Sequence, residues 1–218
     1  MLPPDPTLDE IRLALAPLVA DNAAFDGWTL AAVESAAATL AIERSIALIA
    51  FPGGAVDMID TWFASVDAAM TARFTPEQLG NMKIRDRITT LVETRLELVA
   101  PNRESLRRAL AILALPQNAV RGAKLGWRAA DTMWRAAGDT ATDYNHYTKR
   151  GILGTVYAAT VTVFLDDDSA DFADTRAFLA RRIDGIMAFE KAKAGFIART
   201  EHRPSLSRFI GRLRYPEK

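Results

Sequence analysis

Apolar residues recur at helical spacing along almost the whole chain, and no stretch alternates in the way a half-buried strand does. The pattern predicts an all-α protein. Thr7 or Asp9 caps a first helix running to about Ala20, with Ile11, Leu15, Leu18 and Val19 as its stripe. Asp26-Gly27-Trp28-Thr29 reads as a turn with Thr29 as N-cap, and a second helix follows to about Thr39. A third covers roughly Ile42–Ala50 and stops at the breaker Phe51-Pro52-Gly53-Gly54. Further helices are expected near 55–73, 76–99, 102–114 and 118–137, with Pro76 and Pro101 as starters and Pro116 as an interruption.

Two long helices close the pattern. One is expected from Tyr147 to Leu165, with Leu153, Val156, Tyr157, Thr160 and Phe164 on one face. The other is expected from Phe172 to Ala194, with Phe178, Leu179, Ile183, Ile186 and Met187 aligned. Gly151, Gly154, Ala158 and Ala159 are small enough to let another helix approach closely. A polar, aromatic and basic stretch, Gly138–Arg150, leads into the first of these helices. It carries more side-chain chemistry than a connector needs, and a loop held by a rigid scaffold is a usual place for function.

After Pro204, Leu206, Phe209, Ile210 and Leu213 fall at i, i+3, i+4 and i+7, while Arg208 and Arg212 take other faces. A basic amphipathic helix at a chain end reads as a membrane-surface element that favours anionic lipid. The competing reading is a tail helix docked on its own domain or on a twin subunit. The pattern divides the chain into a three-helix region at 1–54, a helical body at 55–195 and the tail at 203–218.

Charge changes this picture at the ends. The chain of 218 residues is formally neutral, yet residues 1–60 hold nine acids against Arg12 and Arg44, and residues 190–218 hold eight bases against three acids. Three short helices before a long helical body resemble the layout of TetR-type regulators, whose third helix reads the major groove. DNA affinity rests largely on Lys and Arg at phosphates. With a net charge near minus seven over the first sixty residues, repulsion from the duplex is expected to win. The region therefore reads as a helix-turn-helix scaffold that does not bind nucleic acid. A TetR-type, ligand-responsive regulator is the alternative.

The chain has no cysteine, which excludes disulfides and thiolate chemistry, and its two histidines, His146 and His202, cannot build the paired motifs of a di-iron bundle. No Gly-rich phosphate loop and no nucleophile beside a base is visible. The start lacks the features of a signal peptide or presequence, and the longest uncharged run, Gly151–Leu165, is shorter than the ~18 residues of a spanning helix. A soluble protein, cytoplasmic or facing the matrix after processing, is expected. The favoured location is the cytoplasm, peripheral on the inner face of a bacterial inner membrane. The turn Asp166-Asp167-Asp168 lacks the spacing of a calcium loop and reads as a solvated helix start. Glu93 and Glu97 read as a surface face with no metal.

Asp131-Thr132-Met133-Trp134, the Ala137-Gly138-Asp139 turn, Thr142 to Arg150, Leu153, Tyr157, Thr160 and the Asp171–Ile183 pattern together resemble the ubiquinone-biosynthesis lipid-binding family, often called coenzyme Q biosynthesis protein nine. The likeness covers about residues 118–190. It implies a TetR-like homodimer that has lost DNA binding and holds an isoprenoid lipid in an apolar cavity. It implies no cofactor and no catalysis. Such proteins present ubiquinone precursors to a di-iron demethoxyubiquinone hydroxylase, which the likeness would dock at Asp143, Asn145, His146 and Tyr147, with Lys149 and Arg150 beside them. Family members often carry Trp where this chain has His146, which puts that contact in question. Trp127, Met133, Trp134, Leu153 and Tyr157 are the candidate lipid residues under this likeness, against a reading as plain core. For the loop, a catalytic His146 or a simple helix cap remain the other readings.

Overall fold

The computed structural model describes residues 3–142 and 144–201, with side chains described as far as 188. Asp143, His202 and the tail residues Leu206, Arg208, Phe209, Ile210, Arg212 and Leu213 lie outside the described residues. Every regular element among the described residues is helical: α1 (Leu8–Asp26), α2 (Leu30–Thr39), α3 (Arg44–Ile49), α4 (Ala55–Ala72), α5 (Pro76–Gly80), α6 (Ile84–Val99), α7 (Arg103–Leu113), α8 (Ala119–Ala136), α9 (Tyr144–Leu165) and α10 (Ala173–Glu201). None of them is long and apolar enough to cross a membrane. The chain divides into two compact units, residues 1–179 and 180–218. Within the second, the described part is the continuation of α10.

Local chemistry sets the helix starts. Thr7 caps α1 with a capping box, its hydroxyl accepting from the Glu10 N–H while the Glu10 carboxylate accepts from the Thr7 N–H. Thr75 and Gln78 do the same for α5. The expected helix over 76–99 is in fact two, because Lys83 takes an extended conformation (φ −66°, ψ 150°). Arg87 holds the break: its guanidinium donates to the carbonyls of Gly80 (2.8 Å), Met82 (2.9 Å) and Ala137 (2.8 Å). One side chain thus satisfies helix-end carbonyls of two separate segments.

The first unit packs α1 against α2, α4 and α7, and α8 against α9 and α4. Leu15, Val19, Val33, Met58, Ile59, Met70, Leu91 and Val92 are buried between these helices, each contributing roughly 1.5–3 kcal/mol on burial. The three N-terminal helices belong to this unit. The Trp28 indole donates to the Ser105 carbonyl (3.0 Å), and the Ser105 hydroxyl donates to Ala20 (2.6 Å), so α7 clamps both α1 and the α1–α2 turn.

Candidate functional site

A cavity of ≈ 480 Å³ opens among α4, α6, α7, α8 and α9. Such a volume suits a small amphiphile or part of a larger one. Leu106, Leu113, Leu125, Ala129 and Val161 are buried wall residues, whereas Ala114, Ala119, Ala123, Ala158 and Thr162 are exposed and mark its open side. Small residues create the space. A Cβ on Gly122 would stand 3.2 Å from the Leu113 carbonyl oxygen, so that glycine lets α7 and α8 approach. Next along, a Cβ on Gly126 would meet nothing within 4 Å. Two glycines inside a helix cost about 1 kcal/mol each relative to alanine.

One polar cluster interrupts this apolar wall. Arg95 of α6 is 2 % exposed. Its Nε donates to the Tyr157 hydroxyl at 2.9 Å, its Nη1 pairs with Asp67, and its guanidinium lies 5.9 Å from the Phe63 ring and 5.4 Å from the Tyr157 ring. Behind it, Arg128 places Nε 3.5 Å from the other Asp67 oxygen and Nη1 2.5 Å from Asp60, and Arg121 reaches Asp57 at 2.6 Å. The ladder of charges joins α4, α6 and α8. Burial pushes the Asp67 carboxyl up, against the pull of Arg95 and Arg128. Arg95 stays firmly cationic: burial works against its charge, but Tyr157 and Asp67 outweigh it.

The expected lipid residues separate. Tyr157 lines the cavity. Met133 and Leu153 are buried in the core apart from its wall, and the Trp134 indole donates to the Lys149 carbonyl (3.0 Å). Trp127 is exposed, its ring 6.5 Å from His146 and 6.1 Å from Tyr147. Sequence reasoning missed Arg95, Phe63 and the α7 leucines, which lie far from the stretch that drew attention.

The 138–150 stretch sorts into two parts. Helix α9 begins at Tyr144, not at Tyr147, so Asn145, His146 and Tyr147 occupy its first turn instead of a loop. Tyr144 and Tyr147 are exposed, and with Trp127 and His146 they form an aromatic surface; the His146 and Tyr147 rings meet edge-on at 5.1 Å. His146 Nδ1 lies 2.9 Å from the Ala141 carbonyl oxygen. Of Lys149 and Arg150, both expected to face a partner, Arg150 turns inward, while the Lys149 side chain stays 40 % exposed. Arg150 is 2 % exposed and pairs with Asp131 (2.5 Å) and Asp139 (3.0 Å), while Lys149 meets Asp139 at 2.7 Å and lies 5.3 Å from the Trp134 ring. Lys149 and Arg150 hold the Asp139 carboxyl below its usual range despite the opposing effect of burial.

The acidic turn needs correction. Asp167 is buried, not solvated. Its carboxylate accepts from the N–H and hydroxyl of both Ser169 and Thr175, which lower its pKa strongly against the upward push of burial. It is the anchor of the α10 start. Asp166 and Asp168 are exposed and pair with Arg107 and Arg103, each at 2.8 Å. Glu97 is exposed between Arg73 (3.2 Å) and Arg176 (3.6 Å), as a surface face requires. Burial pushes the half-buried Glu93 up, more than Arg176 pulls it down. No cluster suited to a metal ion occurs among the described residues.

In α3, Arg44 is tied to Glu34 at 2.6 Å, and Ile46 and Ile49 are the exposed large side chains. That face offers hydrocarbon where a groove-reading helix offers cations.

Comparison with known proteins places these features. The COQ9 family profile matches residues 119–190. The chain is 36 % identical over 168 residues to "Ubiquinone biosynthesis protein COQ9, mitochondrial" of Rattus norvegicus, covering 74 % of this chain and 54 % of that protein. For the protein of the same name in Homo sapiens the identity is 34 %, with 74 % and 52 % covered. The chain thus spans about half the length of the curated relatives it matches. The TetR transcriptional regulator from Nitrosomonas europaea ATCC 19718 matches in structure with a TM-score of 0.63 at 22 % identity, over 80 % of this chain and 96 % of that one. At this identity the likeness concerns the fold alone, which is all-α and TetR-like. The relatives' mitochondrial names conflict with the expected bacterial inner-membrane location, and overturn it.

Proposed function

The chain belongs through its residues 119–190 to the COQ9 family, and from that premise we propose that it acts in ubiquinone biosynthesis as a non-enzymatic lipid carrier. The cavity takes the isoprenoid end of a quinone precursor, and the carrier presents that precursor to a membrane-associated hydroxylase. The observation that carries this reading is where the cavity lies: most of its wall comes from α8 and α9, inside the segment that matches the family. The wall is largely Leu, Ala and Gly, which suits hydrocarbon and offers little to a polar guest.

The aromatic surface of Trp127, Tyr144, His146 and Tyr147, with Asn145 beside it, is the proposed docking face for the partner enzyme. Exposed aromatic residues of this kind serve as anchors at interfaces. On this account Lys149 and Arg150 do not touch the partner but hold the helix start that presents it. The sequence of the 203–218 tail supports reversible contact with anionic bilayers, since its apolar stripe and bases add attraction of a few kcal/mol against the cost of ordering the segment. Deleting residues 203–218 is expected to abolish co-sedimentation with anionic liposomes; a truncated chain that still pellets would refute the assignment.

The carrier reading itself is tested by extracting lipid from the purified chain and measuring it by native mass spectrometry. A co-purifying isoprenoid quinone or precursor is expected in stoichiometric amount. A chain that stays empty after expression in quinone-producing cells, and that takes up no isoprenoid in vitro, would overturn it.

A further inference from the structure

We propose that Arg95 and Tyr157 form a head-group site within the cavity, one that recognises a neutral ring oxygen (carbonyl or hydroxyl) on the guest. This rests on the reading of the cavity as a lipid site and gives that site its polar specificity.

Three observations carry it. The first is an unused donor. Arg95 is 2 % exposed and forms part of the cavity wall; Nε is taken by Tyr157 at 2.9 Å and Nη1 by Asp67, while Nη2 makes no hydrogen bond among the described residues. Among the described residues the buried side-chain polar atoms without a hydrogen-bond partner are Asp67 Oδ2 and Arg128 Nε, so Nη2 is not a sealed orphan. With Arg95 in the cavity wall it is a donor that an oxygen of the guest can use. The second is charge. Around the site, Arg95 and Arg128 face Asp67 and Asp60, so each cation has a carboxylate. No surplus positive charge remains to neutralise a phosphate or carboxylate. The site therefore favours a polar but uncharged acceptor. The third is shape. Phe63 and Tyr157 both line the cavity and both lie within 6 Å of the same guanidinium, at 5.9 and 5.4 Å. A flat ring placed there meets two aromatic side chains while its oxygen meets the guanidinium.

The consequence is discrimination by the ring rather than the tail. A site built around a hydrogen bond rejects an analogue lacking the oxygen, because the donor is then left unpaired. A guest's hydrocarbon part gains from Leu106, Leu110 and Leu113 whatever its head.

The test uses the full chain and two probes of equal tail length: a decyl-substituted dimethoxy-methyl-benzoquinone, and decylbenzene, which lacks oxygen. Each is scored by displacement of Nile red. Wild type is expected to bind the quinone at least tenfold more tightly than decylbenzene. Tyr157→Phe and Arg95→Lys should each weaken quinone binding about tenfold and narrow the preference over decylbenzene to near unity. Should Arg95→Lys lose its helical circular dichroism, Tyr157→Phe decides. Equal wild-type affinity for both probes, or a quinone preference that survives in Tyr157→Phe, overturns the head-group site and leaves the lipid cavity standing. Binding of neither probe refutes the cavity reading, and the head-group site with it.

Discussion

Arg150 Nη1 meets the Asp139 carboxylate at 3.0 Å, and the two side chains are 2 % and 6 % exposed. The pair fastens the second turn of α9 to the turn after α8, and Asp131 supplies a second carboxylate to the same guanidinium at 2.5 Å. Because Arg87 holds the Ala137 carbonyl at the other side of that turn, the aromatic surface at Tyr144–Tyr147 stands on a support fixed at both ends. Breaking one partner of a buried pair leaves the other charge stranded, at a typical cost of 3–5 kcal/mol. Asp139→Asn is thus expected to lower the denaturation midpoint in urea clearly, and Arg150→Met more so. Midpoints within error of wild type would show that the pair does not hold the turn.

Acid should find the same anchor and one other. The carboxyls of Asp139 and Asp167 both lie below their ordinary range in the folded chain. A lowered folded pKa contributes stability above the unfolded value, about 4 for aspartate, and loses it as pH falls further. Asp67 acts in the opposite sense, since burial raises it and its protonation relieves an unfavourable charge. The melting temperature is expected to fall steeply below about pH 4, and Asp167→Asn should flatten that fall. An unchanged acid limb in the Asp167→Asn chain would contradict the anchoring role.

The proposed docking face allows a separation of fold from function. Trp127 and Tyr147 are 39 % and 63 % exposed, so Tyr147→Ala should shift stability by no more than about 0.5 kcal/mol and Trp127→Ala, which removes more packed surface, by about 1–2 kcal/mol. Capture of the hydroxylase by the immobilised chain should nevertheless weaken at least tenfold in the double variant, as loss of interface anchors does. Undiminished capture would move the interface elsewhere.

Helix existence was legible along the sequence because apolar spacing is a direct record of burial. The ends were less so. Lys83 breaks one expected helix although nothing in its residue type marks a break, and Arg87 secures that break from a distance. The aromatic residues of the 138–150 stretch were visible as a surface, whereas Arg150 resembled its neighbours in polarity and turned inward. Whether a charged side chain faces a partner or a buried Asp is decided by residues such as Asp131 and Asp139, and spacing does not encode which pairs form. The cavity was hardest to read. Its wall is made partly by what is missing, the side chain of Gly126, and by Arg95, whose partners come from α4 and α9.

The TetR-like fold calls for a direct trial of nucleic-acid binding. With Arg44 committed to Glu34 and nine acids in the first sixty residues, no retardation of bulk duplex DNA is expected even at low salt, where phosphate contacts are strongest. A band shift at micromolar protein would favour a regulator.

The cavity itself is tested most directly by filling it. A side chain at Gly126 enters open space, with nothing within 4 Å of the added Cβ, and replacing a helical glycine stabilises a helix by about 0.5–1 kcal/mol. Isoprenoid binding to wild type and to Gly126→Leu, measured beside their melting temperatures, gives the decisive comparison. The carrier account predicts at least a tenfold loss of binding with an equal or higher melting temperature. Full binding in the filled variant would contradict it.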